Sequence, residues 1–338
     1  VTEFKLIAID TSKHVFTLHG VDERGKVVLR SELRRGQIEK FFRKLSPIEV
    51  VLEACGGSHH WGRAIEGLGH RVRLIPPQYV KPFVKRGKND RIDAEAICEA
   101  ALRPGMTFVP VKSVEAQAQA MILSVRELLL KQQTQAINAL RGHGNEFGVI
   151  AARGTSHVTA LLERIAADPT IPETAKEMFM ELGARIAEVS ARVAELDRKL
   201  AQLHKRDPLS RQLAEVPGIG PIGALTLATT VDARQFKSGR HFAAWLGLTP
   251  KQKSTGGKQR LGGISRQGNE RLRQLLVLGA TAVVRPVKPG YQRAAPWLLA
   301  LVQRRPRKVA TVALANKMAR VVWAMMTSGE AYRPHRTV

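Results

Sequence analysis

Cysteine is nearly missing from this chain, with Cys55 and Cys98 the only two among 338 residues. They form no CxxC pair and join no Cys/His cluster, which argues against a disulfide scaffold and a structural zinc site. No apolar run approaches the roughly 18 residues of a membrane span, and the N-terminus lacks a basic stretch followed by an apolar signal core. A soluble, cytoplasmic protein without a membrane partner is expected. The chain opens at Val1, so an initiator Met or short leader is expected upstream. Several nucleotide and hydrolase signatures are also missing. No GxGxxG follows the first apolar run, and there is neither a GxxxxGK[ST] phosphate loop nor a GxSxG elbow. Acids are scarce as well: 29 Asp and Glu stand against 54 Lys and Arg, a formal net charge of +25. That surplus favours a polyanionic partner, nucleic acid before any other.

What is present divides by texture. From Phe4 to about Pro110, β-rich runs (4–9, 14–20, 26–29) precede a helix near 37–45, a strand at 49–53, a helix near 59–68 and a strand at 71–75. The Asp22-Glu23-Arg24-Gly25 turn predicts an antiparallel hairpin, and the later alternation predicts crossover units. This order matches a ribonuclease-H-like core. After Pro104-Gly105 the pattern becomes almost unbroken helix, first over 114–141, where Gly142, Gly144 and Gly148 are expected to end it. A second long helix carries Phe179, Leu182, Ile186, Val189, Val193, Leu196, Leu200 and Leu203 at alternating spacings of three and four. That seam fits an internal two-helix hairpin or an intermolecular coiled coil. Pro217-Gly218 opens a third region. The expected class is α+β in three parts: 1–110 catalytic, 111–208 helical coiled-coil linker and oligomerisation region, and 209–338 mostly α.

Within the basic chain, four carboxylates sit at element boundaries. Asp10 ends the first strand, Glu53 ends another, and Asp90 and Asp93 share one face at a helix start. Each alone has an ordinary explanation as a turn residue, surface acid or cap. Together they offer the hard oxygen ligands that Mg²⁺ or Mn²⁺ needs against a phosphate backbone. The bases Lys88 and Arg91 adjoin the last pair. Farther on, Gly218 and Gly220 lie in Val216-Pro217-Gly218-Ile219-Gly220, which resembles the turn of a helix-hairpin-helix module, where backbone amides meet phosphate. An ordinary tight turn is the alternative.

Downstream, Ser254 lies in a glycine-rich segment expected to be a flexible loop, among Lys251, Lys253, Lys258, Arg260, Arg266 and Arg271. There it could attack phosphorus with neighbouring cations stabilising the charge, or the segment could merely clamp phosphate. Arg304, Arg305, Arg307 and Lys308 form another candidate phosphate-binding group or a solvated basic face.

These residues resemble the DEDD-type transposases of bacterial insertion sequences, relatives of the Piv invertases also called bridge-RNA-guided recombinases. The likeness is carried by Ala8-Ile9-Asp10-Thr11-Ser12-Lys13, Leu52-Glu53-Ala54-Cys55-Gly56-Gly57, Lys88-Asn89-Asp90-Arg91-Ile92-Asp93-Ala94, Val216 to Gly220, and Gly247-Leu248-Thr249-Pro250 leading into Ser254-Thr255-Gly256-Gly257-Lys258. The Ser-Thr-Gly-Gly-Lys run resembles a subgroup that inserts at defined targets. The resemblance covers nearly the whole chain. It implies a RuvC-like N-terminal domain with Asp10, Glu53, Asp90 and Asp93 as metal tetrad, and a C-terminal domain with Ser254 as nucleophile. It also implies double-stranded element-junction and target DNA, a structured noncoding bridge RNA, a homodimer or homotetramer, and a bacterial cytoplasmic setting with nucleoid association during activity. A junction-resolving nuclease without a covalent intermediate and a non-enzymatic nucleic-acid-binding protein remain as alternatives.

Overall fold

A computed structural model of the protein describes residues 4–84, 89–258, 260–288, 291 and 294–334. The architecture is α+β, and the chain divides into two compact units. The first reaches to Gln117 and includes Asp232–Lys237; the second takes Ala118–Val231 and continues from Ser238.

The first unit is built on a five-stranded sheet. Strands β1 (Leu6–Thr11), β2 (Val15–Val21) and β3 (Val27–Arg34) form an antiparallel meander, while β4 (Glu49–Glu53) and β5 (Arg71–Ile75) add in parallel, giving the order β3-β2-β1-β4-β5. This is the ribonuclease-H-like arrangement. Asp22 sets the turn between β2 and β3, its Oδ1 accepting from the amides of Arg24 and Lys26 at 2.9 and 2.8 Å. The expected third strand is longer than its apolar run, because Leu29 through Arg34 keep pairing with β2.

Alternate residues of a strand face opposite sides of the sheet. Ile7, Ile9, Val50 and Leu52 join Phe16, Ile38, Phe42, Trp61 and Ile65 on the side of α1 (Ile38–Phe42) and α2 (Ser58–Glu66). Leu6, Ala8 and Val51 instead join Ala96, Ile97, Cys98 and Ala101 of α4 (Asp90–Ala101), which α3 (Pro77–Val80) precedes. Each fully buried Ile or Leu contributes about 1.5–3 kcal/mol by leaving water. The small residues of α4 let the helix lie close on β1.

In the second unit, α5 (Val114–Glu146) begins just before the boundary and continues beyond it, and α7 (Glu173–Arg206) follows α6 (Val158–Ala167). Contacts Arg126–Asp197, Gln133–Ser190 and Phe147–Phe179 run in opposite chain directions, so α5 and α7 are antiparallel. Every seam residue from Phe179 to Leu203 is buried or half-buried within the chain, which meets the internal-hairpin alternative. The helix α5 does not stop at Gly142: it passes through Gly142 and Gly144 and ends before Gly148, whose φ of 75° suits glycine.

Helices α8 (Pro208–Leu213), α9 (Pro221–Thr230), α10 (Gly239–Trp245), α11 (Glu270–Val284), α12 (Pro296–Arg304) and α13 (Arg307–Ser328) complete the unit with a hairpin, β6 (Pro250–Gln252) and β7 (Leu261–Ile264). One helix, α13, is long and apolar enough to cross a membrane by length and composition, although Lys317 and Arg320 interrupt its apolar run. Its apolar residues Ala310, Leu314, Ala315, Met318, Ala319, Val322 and Met325 are buried, and it packs with α10 and α11.

Candidate metal centre and nucleic-acid interface

Asp10 follows Leu6 and Ala8 in strand alternation, and Glu53 follows Val51, so both belong to the sheet face covered by α4. Asn89 caps that helix, its Oδ1 accepting from the Arg91 amide at 3.1 Å, and this starts the first turn at Asp90. Acids are favoured there by the positive end of the helix. Asp90 and Asp93 are thereby brought back over Asp10: one carboxylate oxygen from each of the three lies within 4.8 Å of the others. Glu53 stands outside this close group but is felt by it electrostatically.

The energetics agree with the geometry. Asp10 is pushed from 3.8 up to about 6, first by burial and then by the negative charges of Asp93, Asp90 and Glu53. Burial, then Asp93, also raises Glu53. Neighbouring carboxylates without a counter-charge resist joint ionisation, and a divalent cation removes that penalty. The donors are all hard oxygens, with no imidazole or thiolate among the three, so they suit a divalent cation of the Mg²⁺ type better than zinc or copper.

Of the bases expected beside this centre, Lys88 lies outside the described residues. Arg91 extends from α4 to β3, where its Nε donates to Glu32 Oε1 at 2.9 Å. His59 and Lys112, which sequence reasoning missed, form a polar pair in the same unit. His59 Nδ1 accepts from the Lys112 amide at 3.2 Å, and its Nε2 lies 3.0 Å from Lys112 Nζ. Arg63 donates to the Lys112 carbonyl at 2.7 Å. No local motif announces this pair, because its members are 53 residues apart.

The described residues of the serine segment form a hairpin. Pro250 pairs with Ile264 and Gln252 with Leu261, and the Lys253 amide donates to the Arg260 carbonyl at 2.9 Å. At its tip Thr255 bridges to Lys258 across Gly256 and Gly257, whose φ values of 55° and 76° have the sign a type I′ turn requires. Ser254 is exposed, and its Oγ accepts from the Arg260 amide at 3.2 Å, an arrangement that leaves the hydroxyl proton available. Lys251, Lys253, Lys258 and Arg260 are exposed on the same hairpin, and Arg266 follows it.

Other expected phosphate contacts differ in character. Arg304, Arg305 and Lys308 are exposed. Arg307 donates to the carbonyls of Arg285 and Val287 at 3.0 and 2.9 Å, beyond the C-terminus of α11. Arg271 donates to the Leu123 carbonyl and pairs with Glu127 at 2.8 Å. Arg273, another base of this stretch, is buried and donates to the carbonyls of Leu246 and Gln267 at 3.1 and 2.9 Å. Gly218, with φ of 91°, packs on Gly279, while Gly220 is the N-cap of α9 and has open space around it.

Comparison with known proteins places these elements in one lineage. Residues 7–146 match the DEDD transposase model of IS110 elements, and residues 210–295 match the model described as "Transposase IS116/IS110/IS902 family". The chain is 54% identical over 329 residues to the putative transposase y4pF/y4sB of Sinorhizobium fredii, covering 97% of this chain and 85% of the relative. It is 48% identical to a probable family 20 transposase of Pseudomonas aeruginosa, covering 97% and 98% of the two chains. The transposase for insertion sequence element IS1111A of Coxiella burnetii is 39% identical, with 98% of this chain and 92% of the relative covered.

Proposed function

We propose, from the premise that the chain belongs to the IS116/IS110/IS902 family of insertion-sequence transposases, that it moves its element by cutting and rejoining DNA through a serine-linked intermediate. The observation that carries the reading is the convergence of Asp10, Asp90 and Asp93 within 4.8 Å. We assign them, with Glu53, to Mg²⁺ or Mn²⁺. Such a cation supplies charge neutralisation at the scissile phosphate.

Ser254 is the nucleophile in this scheme. Its Oγ forms a bond to phosphorus as its proton leaves, and the bond from phosphorus to the departing DNA oxygen breaks, with that oxygen taking up a proton. Rejoining reverses the exchange with a different DNA hydroxyl, so the phosphodiester energy is retained and ATP is not needed. The exposed position of Ser254 allows a phosphate to approach, and Lys251, Lys253, Lys258 and Arg260 favour that approach electrostatically. Gly218 and Gly220 position the DNA backbone near the N-terminus of α9, and Arg266, Arg304, Arg305 and Lys308 extend the basic contact.

A structured noncoding bridge RNA supplies sequence choice by base pairing, leaving the protein to bind backbone and shape. That division suits a charge of +25 with 5% aromatic residues. A homodimer or homotetramer brings the tetrad of one protomer and Ser254 of another to the same phosphate in the bacterial cytoplasm. This scheme keeps the relation to the Piv invertases and the three-part division of the chain at 110 and 208.

Transposition measured in cells with Asp10→Asn, Glu53→Gln, Asp93→Asn and Ser254→Ala tests it. Each is expected to lower element movement by at least about 100-fold, the scale of losing a group that acts in the transition state. Movement retained by Ser254→Ala would transfer the nucleophile elsewhere, to Thr255 first. Movement retained by Asp10→Asn would remove the tetrad from the reaction.

A further inference from the structure

A groove of about 1010 Å³ lies at the base of the Ser254 hairpin, between α11 and α13. Its wall includes Gly262, Gly263 and Ile264 of β7, and its floor is aliphatic, with Val277, Leu278, Val309 and Val312. Leu278 and Val309 remain 66% and 50% exposed. Arg266 and Lys308 stand among its lining residues. The acid in the groove, Glu270, accepts from Gln274 at 3.0 Å.

The glycines of the wall are not explained by the fold. Neither has a positive φ. A side chain at Gly263 would meet nothing within 4 Å, and one at Gly262 would make only ordinary contact, 3.7 Å from the Lys251 carbonyl oxygen. Glycine in a strand interior is destabilising relative to Ala, and it often marks the close approach of a ligand or another backbone.

Arg266 supplies a second observation. It is the non-glycine residue with positive φ, 57°, among those described. A non-glycine residue in this region is strained and persists where its surroundings dictate it. Here the Arg266 amide donates to the Gly247 carbonyl at 3.2 Å and the Ser265 amide to the Thr249 carbonyl at 2.9 Å. Buried Arg273 fastens the next carbonyl, that of Gln267, at 2.9 Å. The turn therefore holds the Arg266 backbone in place while its side chain remains exposed.

We propose that this groove seats an unpaired nucleotide of the DNA strand handled by the Ser254 hairpin, with sugar and base on the aliphatic floor and flanking phosphates at Arg266 and Lys308. The inference rests on the strand-joining reading above and adds the substrate feature recognised beside the nucleophile. Positive charge at an apolar groove complements a nucleotide chain, whose phosphates are anionic and whose base and sugar faces shed water. The glycine wall lets the strand backbone come close.

Fluorescence anisotropy of the full chain with two labelled DNAs tests this: a duplex ending in a short single-stranded overhang and the same duplex with blunt ends. Wild type is expected to bind the overhang DNA about tenfold more tightly, the equivalent of about 1.4 kcal/mol. Gly263→Val, which fills the wall, should abolish that preference without changing blunt-end affinity. Leu278→Asn, at an exposed floor position, should reduce the preference and guards against misfolding of the first variant. Equal affinity of wild type for the two DNAs, or a preference unchanged in a folded Gly263→Val or in Leu278→Asn, overturns the proposal. Loss of self-association in these variants with unchanged DNA preference would instead assign the groove to a second copy of the chain. The two readings can fail separately: a groove-dependent preference without a serine adduct would sink Ser254 as nucleophile, whereas an adduct with no overhang preference would sink the groove.

Discussion

Asp10 is held among Asp93, Asp90 and Glu53, and its raised value near 6 has a definite consequence for the metal-free protein. Between pH 4 and 6 the folded Asp10 keeps a proton that the unfolded chain has released, so the folded state binds more protons. Its contribution to stability therefore falls as pH rises through this window. Asp10→Asn should raise the melting temperature in EDTA above pH 7 and abolish the stabilisation by Mg²⁺ or Mn²⁺ expected of wild type, with differential scanning fluorimetry as the check. Equal metal-induced shifts in both proteins would remove Asp10 from the ligand set. The His59 and Lys112 pair makes a second prediction at this scale. His59 is lowered to about 4 by burial, then by Lys112 and Arg63, while burial lowers Lys112. With Nδ1 accepting from the Lys112 amide, the neutral ring carries its proton on Nε2, facing Nζ. NMR titration should find His59 neutral until near pH 4. Titration near the ordinary 6.5 would contradict the paired geometry.

Among elements, buried seam residues such as Ile186 tie the α5–α7 pair to its neighbours. Ile186→Ala should cost about 2–5 kcal/mol in urea unfolding, because the surrounding helices close the cavity only partly. A near-zero change would mean that the seam is not packed as described. Elsewhere in the unit, a Cβ on Gly279 would lie 1.8 Å from the Gly218 carbonyl oxygen. Gly279→Ala should therefore destabilise by about 1–3 kcal/mol or more, since backbone must move to admit a single methyl. This contact also shows why the Gly218 turn was only partly legible: its glycine serves helix packing as well as any phosphate. The sheet was far more readable, because apolar runs and the Asp22 turn act locally, and strand parity carries Asp10 and Glu53 to one face. The distance separating Glu53 from the closer triad depends on how α4 settles on the sheet, and no spacing in the chain encodes it. Similarly, Thr255-Gly256-Gly257-Lys258 has the composition of a loop, but positive φ at both glycines makes it a hairpin tip. Arg271 and Arg307 looked like free bases because the carbonyls they bind are distant in sequence.

For the whole molecule, the excess of 54 bases over 29 acids is spent unevenly. The carboxylate cluster belongs to the first unit, while the hairpin with Ser254 and its exposed bases belongs to the second. An acidic centre in a basic chain can hold a cation while the remaining surface attracts the polyanion on which it acts. Membership in the insertion-sequence transposase family gives that division a reaction, and the strand-joining account requires both parts. The most direct test is to incubate the full chain with Mg²⁺, RNA from its element's noncoding flank and labelled junction DNA, then resolve the products on a denaturing gel. The account predicts a protein–DNA adduct with wild type that is lost in Ser254→Ala and in Asp10→Asn. Cleavage without an adduct in wild type, or an adduct retained by Ser254→Ala, would contradict it.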